Sequence, residues 1–172
     1  GEYRFDRPIE LQGQVTLLLA PGARIVGVGE DTIRIVGDGD ITIRGMGGRP
    51  ELANTTTDIE RDERGVPAET VTSFISLNRV PMDARPSLRV QGVTLTGFVC
   101  IEGMRVEGKG PMGALEVLDC HFEAEDMHLS HQHSEVESLR VENSLFTGTA
   151  RYGIYATSPM PGGAIVRGNV LR

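Results

Sequence analysis

The chain of 172 residues carries 17 basic against 24 acidic side chains, a formal charge of −7 spread along its length, which excludes general binding to a phosphate backbone because that requires a basic footprint. No apolar run is long enough to cross a membrane and no signal peptide precedes Gly1, so neither nucleic acid nor membrane is expected as a partner. With 22 glycines, no tryptophan and an aromatic complement of 3 Tyr and 5 Phe, the composition favours short strands joined by tight turns over packed amphipathic helices, in one domain spanning 1–172.

In chain order, residues 3–5, 9–11, 15–20, 24–28, 32–37 and 41–45 read as short β segments, each ended by Gly, Pro or Asp. Pro21-Gly22, Gly29-Glu30-Asp31 and Gly37-Asp38-Gly39-Asp40 are turns with a mechanism: Gly supplies positive φ and Asp bonds its own backbone two residues on. Within the segments apolar residues alternate, as in Thr32-Ile33-Arg34-Ile35 and Ile41-Thr42-Ile43-Arg44, the period of a half-buried strand. Residues 48–70 are polar, charged and without alternation, and read as a loop inserted on the coil, with a short solvated helix expected at 58–64. Asn54-Thr55-Thr56 within it is a glycosylation sequon in a eukaryotic secretory context.

From residue 87 onward one template recurs: apolar, any, apolar, any, Gly/Asp/Asn, small, any, apolar. It is met at 87–97 (SLRVQGVTLTG), 114–124 (ALEVLDCHFEA), 138–148 (SLRVENSLFTG) and 163–172 (GAIVRGNVLR). Its first apolar position falls on Leu88, Leu115, Leu139 and Ala164, in steps of 27, 24 and 25 residues, the signature of stacked units that bury their apolar faces only against neighbours. Three strands per coil order the chain into six coils: 3–5, 9–11, 15–19; 24–27, 32–37, 41–45; 73–77, 87–92, 93–97; 99–102, 114–119, 120–124; 127–131, 138–143, 144–148; and 152–156, 164–168, 169–172.

Ile41-Thr42-Ile43-Arg44-Gly45-Met46-Gly47-Gly48 and Val141-Glu142-Asn143-Ser144-Leu145-Phe146, with this coil length, resemble the right-handed parallel β-helix of the pectate-lyase-like (pectin lyase-like) superfamily, over almost the whole chain. The resemblance implies an all-β solenoid of about six coils, secreted or at the cell surface, with a polysaccharide or other glycan as its partner. It implies a uronate-type polysaccharide lyase or epimerase, or a glycoside hydrolase; the alternative is a non-catalytic module, as in phage tails and adhesins, or an interaction fragment of a larger protein.

In such a fold the first strand of each coil faces a groove walled by the loops that follow it. Taking Ile75/Leu77, Val99/Ile101, Met127/Leu129 and Ile154/Ala156 as inward leaves Ser76/Asn78, Cys100/Glu102, His128/Ser130 and Tyr155/Thr157 outward. Glu102, His128 and Tyr155 then lie on successive coils, flanked by Arg105 and Arg151. His128 is the expected base, Tyr155 the acid, Glu102 a further acid–base group and Arg151 the cation for a uronate carboxylate, with Asn78, Arg105, Ser130 and His131 binding substrate. The opposing reading is a solvated strand face without a ligand.

All four histidines fall between His121 and His133, where a surface cluster without metal is expected and no cofactor is implied; Glu123, Glu125 and Asp126 are the carboxylates that would take calcium at a turn. Met82, Met104, Met112 and Met160 are expected to pack the loops onto one another. Cys100 and Cys120, at different phases of the repeat, are expected as free thiols. The template runs through Val170-Leu171-Arg172 without a polar cap, so the last coil edge is expected to meet further chain or self-associate.

Overall fold

The computed structural model describes residues 1–28, 31–55, 73–103, 110–132 and 135–172. Among them there is no helix; parallel strands stack as a β-solenoid of about six turns. Each turn visits three faces. Face I holds β1 (Glu2–Phe5), β4 (Arg24–Gly27), β7 (Glu51–Asn54), β14 (Leu145–Gly148) and β17 (Val170–Leu171). Face II holds β2 (Ile9–Leu11), β5 (Ile33–Ile35), β8 (Ser73–Ser76) and β15 (Tyr152–Ala156). Two long strands, β10 (Thr94–Gly103) and β12 (His121–His131), run unbroken round the corner from face I to face II. Face III is a separate sheet of β3 (Val15–Leu19), β6 (Asp40–Gly45), β9 (Ser87–Gln91), β11 (Met112–Leu118), β13 (Val136–Glu142) and β16 (Ala164–Arg167).

The period-2 alternation becomes rows of like residues up the stack. Face I contributes Ile25, Leu52, Leu95, Phe122 and Phe146 in register. Face II contributes Ile9, Ile33, Ile75, Ile101, Leu129 and Ile154. Face III contributes two rows, Val15, Ile41, Leu88, Leu115, Leu139, Ala164 and Leu17, Ile43, Val90, Val117, Val141, Val166, which are the two leading apolar positions of the sequence template. These rows meet in one core, in which the Phe122 and Phe146 rings stack at 4.9 Å and 7°. In each level the ladder is parallel, so side chains repeat at the strand spacing of about 4.8 Å.

The template's Gly/Asp/Asn position has a backbone cause. Gly92, Asp119, Asn143 and Gly168 all follow a face III strand, and their φ angles are +66, +55, +52 and +67°. Only residues that tolerate the left-handed region can turn the chain from face III to face I there. The small position after it stitches adjacent coils: Cys120 N–H donates to Ser144 Oγ (3.2 Å), and Ser144 N–H to Asn169 Oδ1 (2.8 Å). Asn169 Nδ2 in turn donates to Val141 O (2.9 Å).

One stretch differs from the sequence reading. Glu51–Asn54, assigned above to the inserted loop, is strand β7, paired with β4 and β10 and with Leu52 and Ala53 buried. Leu-Ala-Asn is too short to show alternation, and its pairing is nonlocal. With β7 in place the third coil begins on face I at Glu51, as the first two do, rather than on face II at residue 73. Residues 56–72, including the proposed helix at 58–64, lie outside the described residues, as does Met104. On the last coil Ile165, Val166, Val170 and Leu171 are exposed.

Candidate functional site

The outward row of face II runs Glu10, Arg34, Ser76, Glu102, Ser130, Tyr155 in strand register. Glu102 and Tyr155 therefore share a row, as alternation requires, with Ser130 between them. The middle of the row is enclosed rather than open: Ser76, Glu102 and Ser130 are each 0% exposed, while Glu10 at its start is exposed. Gln132 Nε2 donates to Ser130 Oγ at 3.2 Å, and Asn78 N–H to Ser76 Oγ at 3.4 Å. Tyr155 is half-buried, its ring 5.1 Å from that of Tyr152.

His128 is not on that row. The ladder passes from Val99 and Met127 to Ile101 and Leu129, skipping Cys100 and His128, and β12 carries one more residue than β10 at the face I–II corner. At this bend alternation counted back from Leu129 breaks, and Phe74 and Cys100 join the core. The His128 ring follows them inward, edge-on to Phe146 at 5.3 Å and to Phe122 at 6.3 Å. Its Nε2 lies 2.6 Å from Thr147 O and its Nδ1 3.2 Å from Tyr152 O. Both are acceptors only, and a neutral ring donates to one of them. His128 thus ties the corner between β14 and β15 to the coil before it.

The remaining nominated groups are held in the same way. Arg151 Nη2 and Nε lie 2.6 and 2.7 Å from Asp126 Oδ1, so this guanidinium and the third expected calcium carboxylate neutralise each other. His131, 1% exposed, contacts Ser158 Oγ through Nδ1 at 2.7 Å. His121 stands apart from both: the Thr147 hydroxyl donates to Phe122 O (3.0 Å), so its oxygen accepts from His121 Nε2–H (2.9 Å). Arg105 and His133 lie outside the described residues. Both cysteines are buried free thiols; burial pushes the Cys120 thiol up to about 11 and that of Cys100 higher. Asn54 of the sequon is 7% exposed, and its side-chain amide donates to Thr32 Oγ1 (3.3 Å) and Ser73 O (3.4 Å).

The open concavity lies one corner away. A cleft of about 480 Å³ is lined by Asn54, Thr55, Thr96, Gly97, Phe98, Glu123, Ala124, Glu125, Gly148 and Thr149, contributed by four successive coils at the corner between faces I and II. Gly97, Ala124 and Gly148 are one row of the ladder. At Gly148, φ is +105° and a Cβ would stand 2.3 Å from Ala124 O, so only glycine fits. Glu123 and Glu125 are exposed on either side of buried Ala124, and Thr149 Oγ1 donates to Glu125 O at 3.4 Å. Four levels at about 4.8 Å give a trough roughly 14 Å long. Sequence reasoning picked out Glu123 and Glu125 as cation ligands but missed the trough; its signal was the small residue closing three template copies, at Gly97, Ala124 and Gly148.

The chain has no significant match among protein-family models, curated proteins or solved structures.

Proposed function

We propose that this chain is a non-catalytic glycan-binding β-solenoid that uses the face I–II corner cleft. The observation that carries this reading is the cleft itself: four levels present backbone and polar side chains, with hydroxyls from Thr55, Thr96 and Thr149 and carboxylates from Glu123 and Glu125, and the levels stand at a spacing close to the rise per sugar of an extended glycan. The engagement of His128 with two carbonyl oxygens and of Arg151 with Asp126 supports binding without turnover, because a general base and a carboxylate clamp must be presented to substrate. A catalytic reading, as a uronate lyase, epimerase or hydrolase, draws on the Glu102–Ser130–Tyr155 row.

A panel of soluble polysaccharides, assayed by affinity electrophoresis and by product release, tests the proposal. Retardation by at least one glycan, abolished by Thr149→Trp on the exposed rim of the cleft and unaccompanied by product, is the expected result. New reducing ends or an ultraviolet-absorbing unsaturated product would overturn it in favour of the catalytic reading.

A further inference from the structure

We infer, on the reading that the corner cleft binds glycan, that its ligand is an amine-bearing glycan of the glucosamine type rather than the uronate polymer that the β-helix resemblance suggests. Among the described residues the cleft's lining contains two carboxylates, Glu123 and Glu125, and no lysine or arginine. Among the described residues neither carboxylate enters an ion pair, in contrast to Glu2, Glu51, Glu116, Glu135, Glu137 and Glu142, each of which meets an arginine. Arg151, two residues past Thr149 of the lining, is paired with Asp126. The two acids stand two residues apart on one strand, both exposed and both lining the cleft, at the third of its four levels.

At Gly97, Ala124 and Gly148 the cleft is lined by nothing larger than a methyl group, so a sugar ring laid in the trough brings its substituents against the carboxylates. A ring carboxylate there meets two like charges. A ring ammonium meets two opposite ones and donates charge-assisted hydrogen bonds to them. The overall charge of −7 acts in the same direction, raising the local concentration of a cationic polymer. The remaining lining groups, the hydroxyls of Thr55, Thr96 and Thr149, suit sugar hydroxyls at the flanking levels.

The test is calorimetric titration of the intact chain, at mildly acidic pH where sugar amines are protonated, with equal-length oligomers of glucosamine, N-acetylglucosamine, glucose and galacturonate. Glucosamine should bind about ten-fold more tightly than its N-acetyl counterpart, as two partly exposed charge contacts allow, and galacturonate weakest. Glu123→Gln/Glu125→Gln should bring the glucosamine and N-acetyl affinities within about two-fold, while Asp6→Asn/Glu10→Gln, which removes the same charge elsewhere, should leave the preference intact. Equal or tighter binding of galacturonate, or a preference that falls equally in both double variants, overturns the inference while leaving glycan binding standing. No binding by any oligomer overturns both.

Discussion

Replacing His128 by alanine separates a structural ring from a catalytic one. The substitution removes a buried ring that stands edge-on to both members of the Phe122–Phe146 stack, leaving a cavity beside rings 4.9 Å apart. It also removes the 2.6 Å contact to Thr147 O, which lies at the turn into the next coil. A buried ring lost from a close-packed core costs about 2–3 kcal/mol and the hydrogen bond about 1, so destabilisation of about 3–4 kcal/mol is expected. In a domain of this size that lowers the melting temperature by roughly 6–16 °C. Urea unfolding followed by circular dichroism, with the m-value compared between variants, measures it. His128→Phe keeps the aromatic contacts and loses the hydrogen bond, so it should cost only about 1–2 kcal/mol. The reasoning is refuted if His128→Ala unfolds within about 0.5 kcal/mol of the parent chain, or if it loses glycan binding while its stability is intact.

The corner residues, thiols, ion pairs and sequon provide independent checks. Asn143→Val, at a φ of +52°, should lose about 1–2 kcal/mol in the same urea assay, whereas Asn143→Gly should match or exceed the parent; a neutral valine would refute the backbone account of the template. Because burial raises both thiols, Cys100 and Cys120 remain protonated near neutral pH, and an aromatic disulfide reagent should react with neither until denaturant is added, then with both. Hydrogen bonding from Arg140, and then from Arg167, holds the Glu142 carboxyl below the usual carboxylate range. With the folded value depressed, its contribution is present above the unfolded value of about 4.3 and is lost as pH falls through the folded one. Glu142→Gln should therefore lower the urea midpoint at neutral pH and merge with the parent in strong acid; a gap that persists in acid counts against the ion pair. Expressed through a eukaryotic secretory pathway, the folded chain should carry no glycan at Asn54, whose amide donates internally, and mass spectrometry reads the occupancy directly.

The solenoid was legible because stacking is a local rule repeated: apolar residues two apart on face III recur at Leu88/Val90, Leu115/Val117 and Leu139/Val141, and each turn residue marks one corner. Strand β7 was not, since Leu52 and Ala53 are apolar neighbours beside a polar run and only pairing with β4 and β10 makes them a strand. The site fared differently on either side of the bend. Past Leu129 alternation correctly set Glu102, Ser130 and Tyr155 in one row; before it, at the bend between faces I and II, Phe74, Cys100 and His128 turn inward together, which the period of a straight strand does not describe. That a row should be outward and yet enclosed, as Ser76, Glu102 and Ser130 are, depends on what covers the sheet, and period alone carries no such information. Likewise, the concavity forms where two faces meet, and neither strand pattern taken alone describes a corner.

The parallel register has one last consequence, for how such a surface can change. Because every level repeats the one beneath it, the trough between faces I and II is measured in whole coils. Duplicating a unit such as 121–144 would lengthen it by a single step and bury the same core residues again, whereas inserting one residue within a strand, away from a corner that can absorb it as β12 does, would turn the rest of that strand's side chains to the opposite side. The molecule is in this sense a ruler: its contact length is digital, while its chemistry is set level by level by whichever side chain each coil presents.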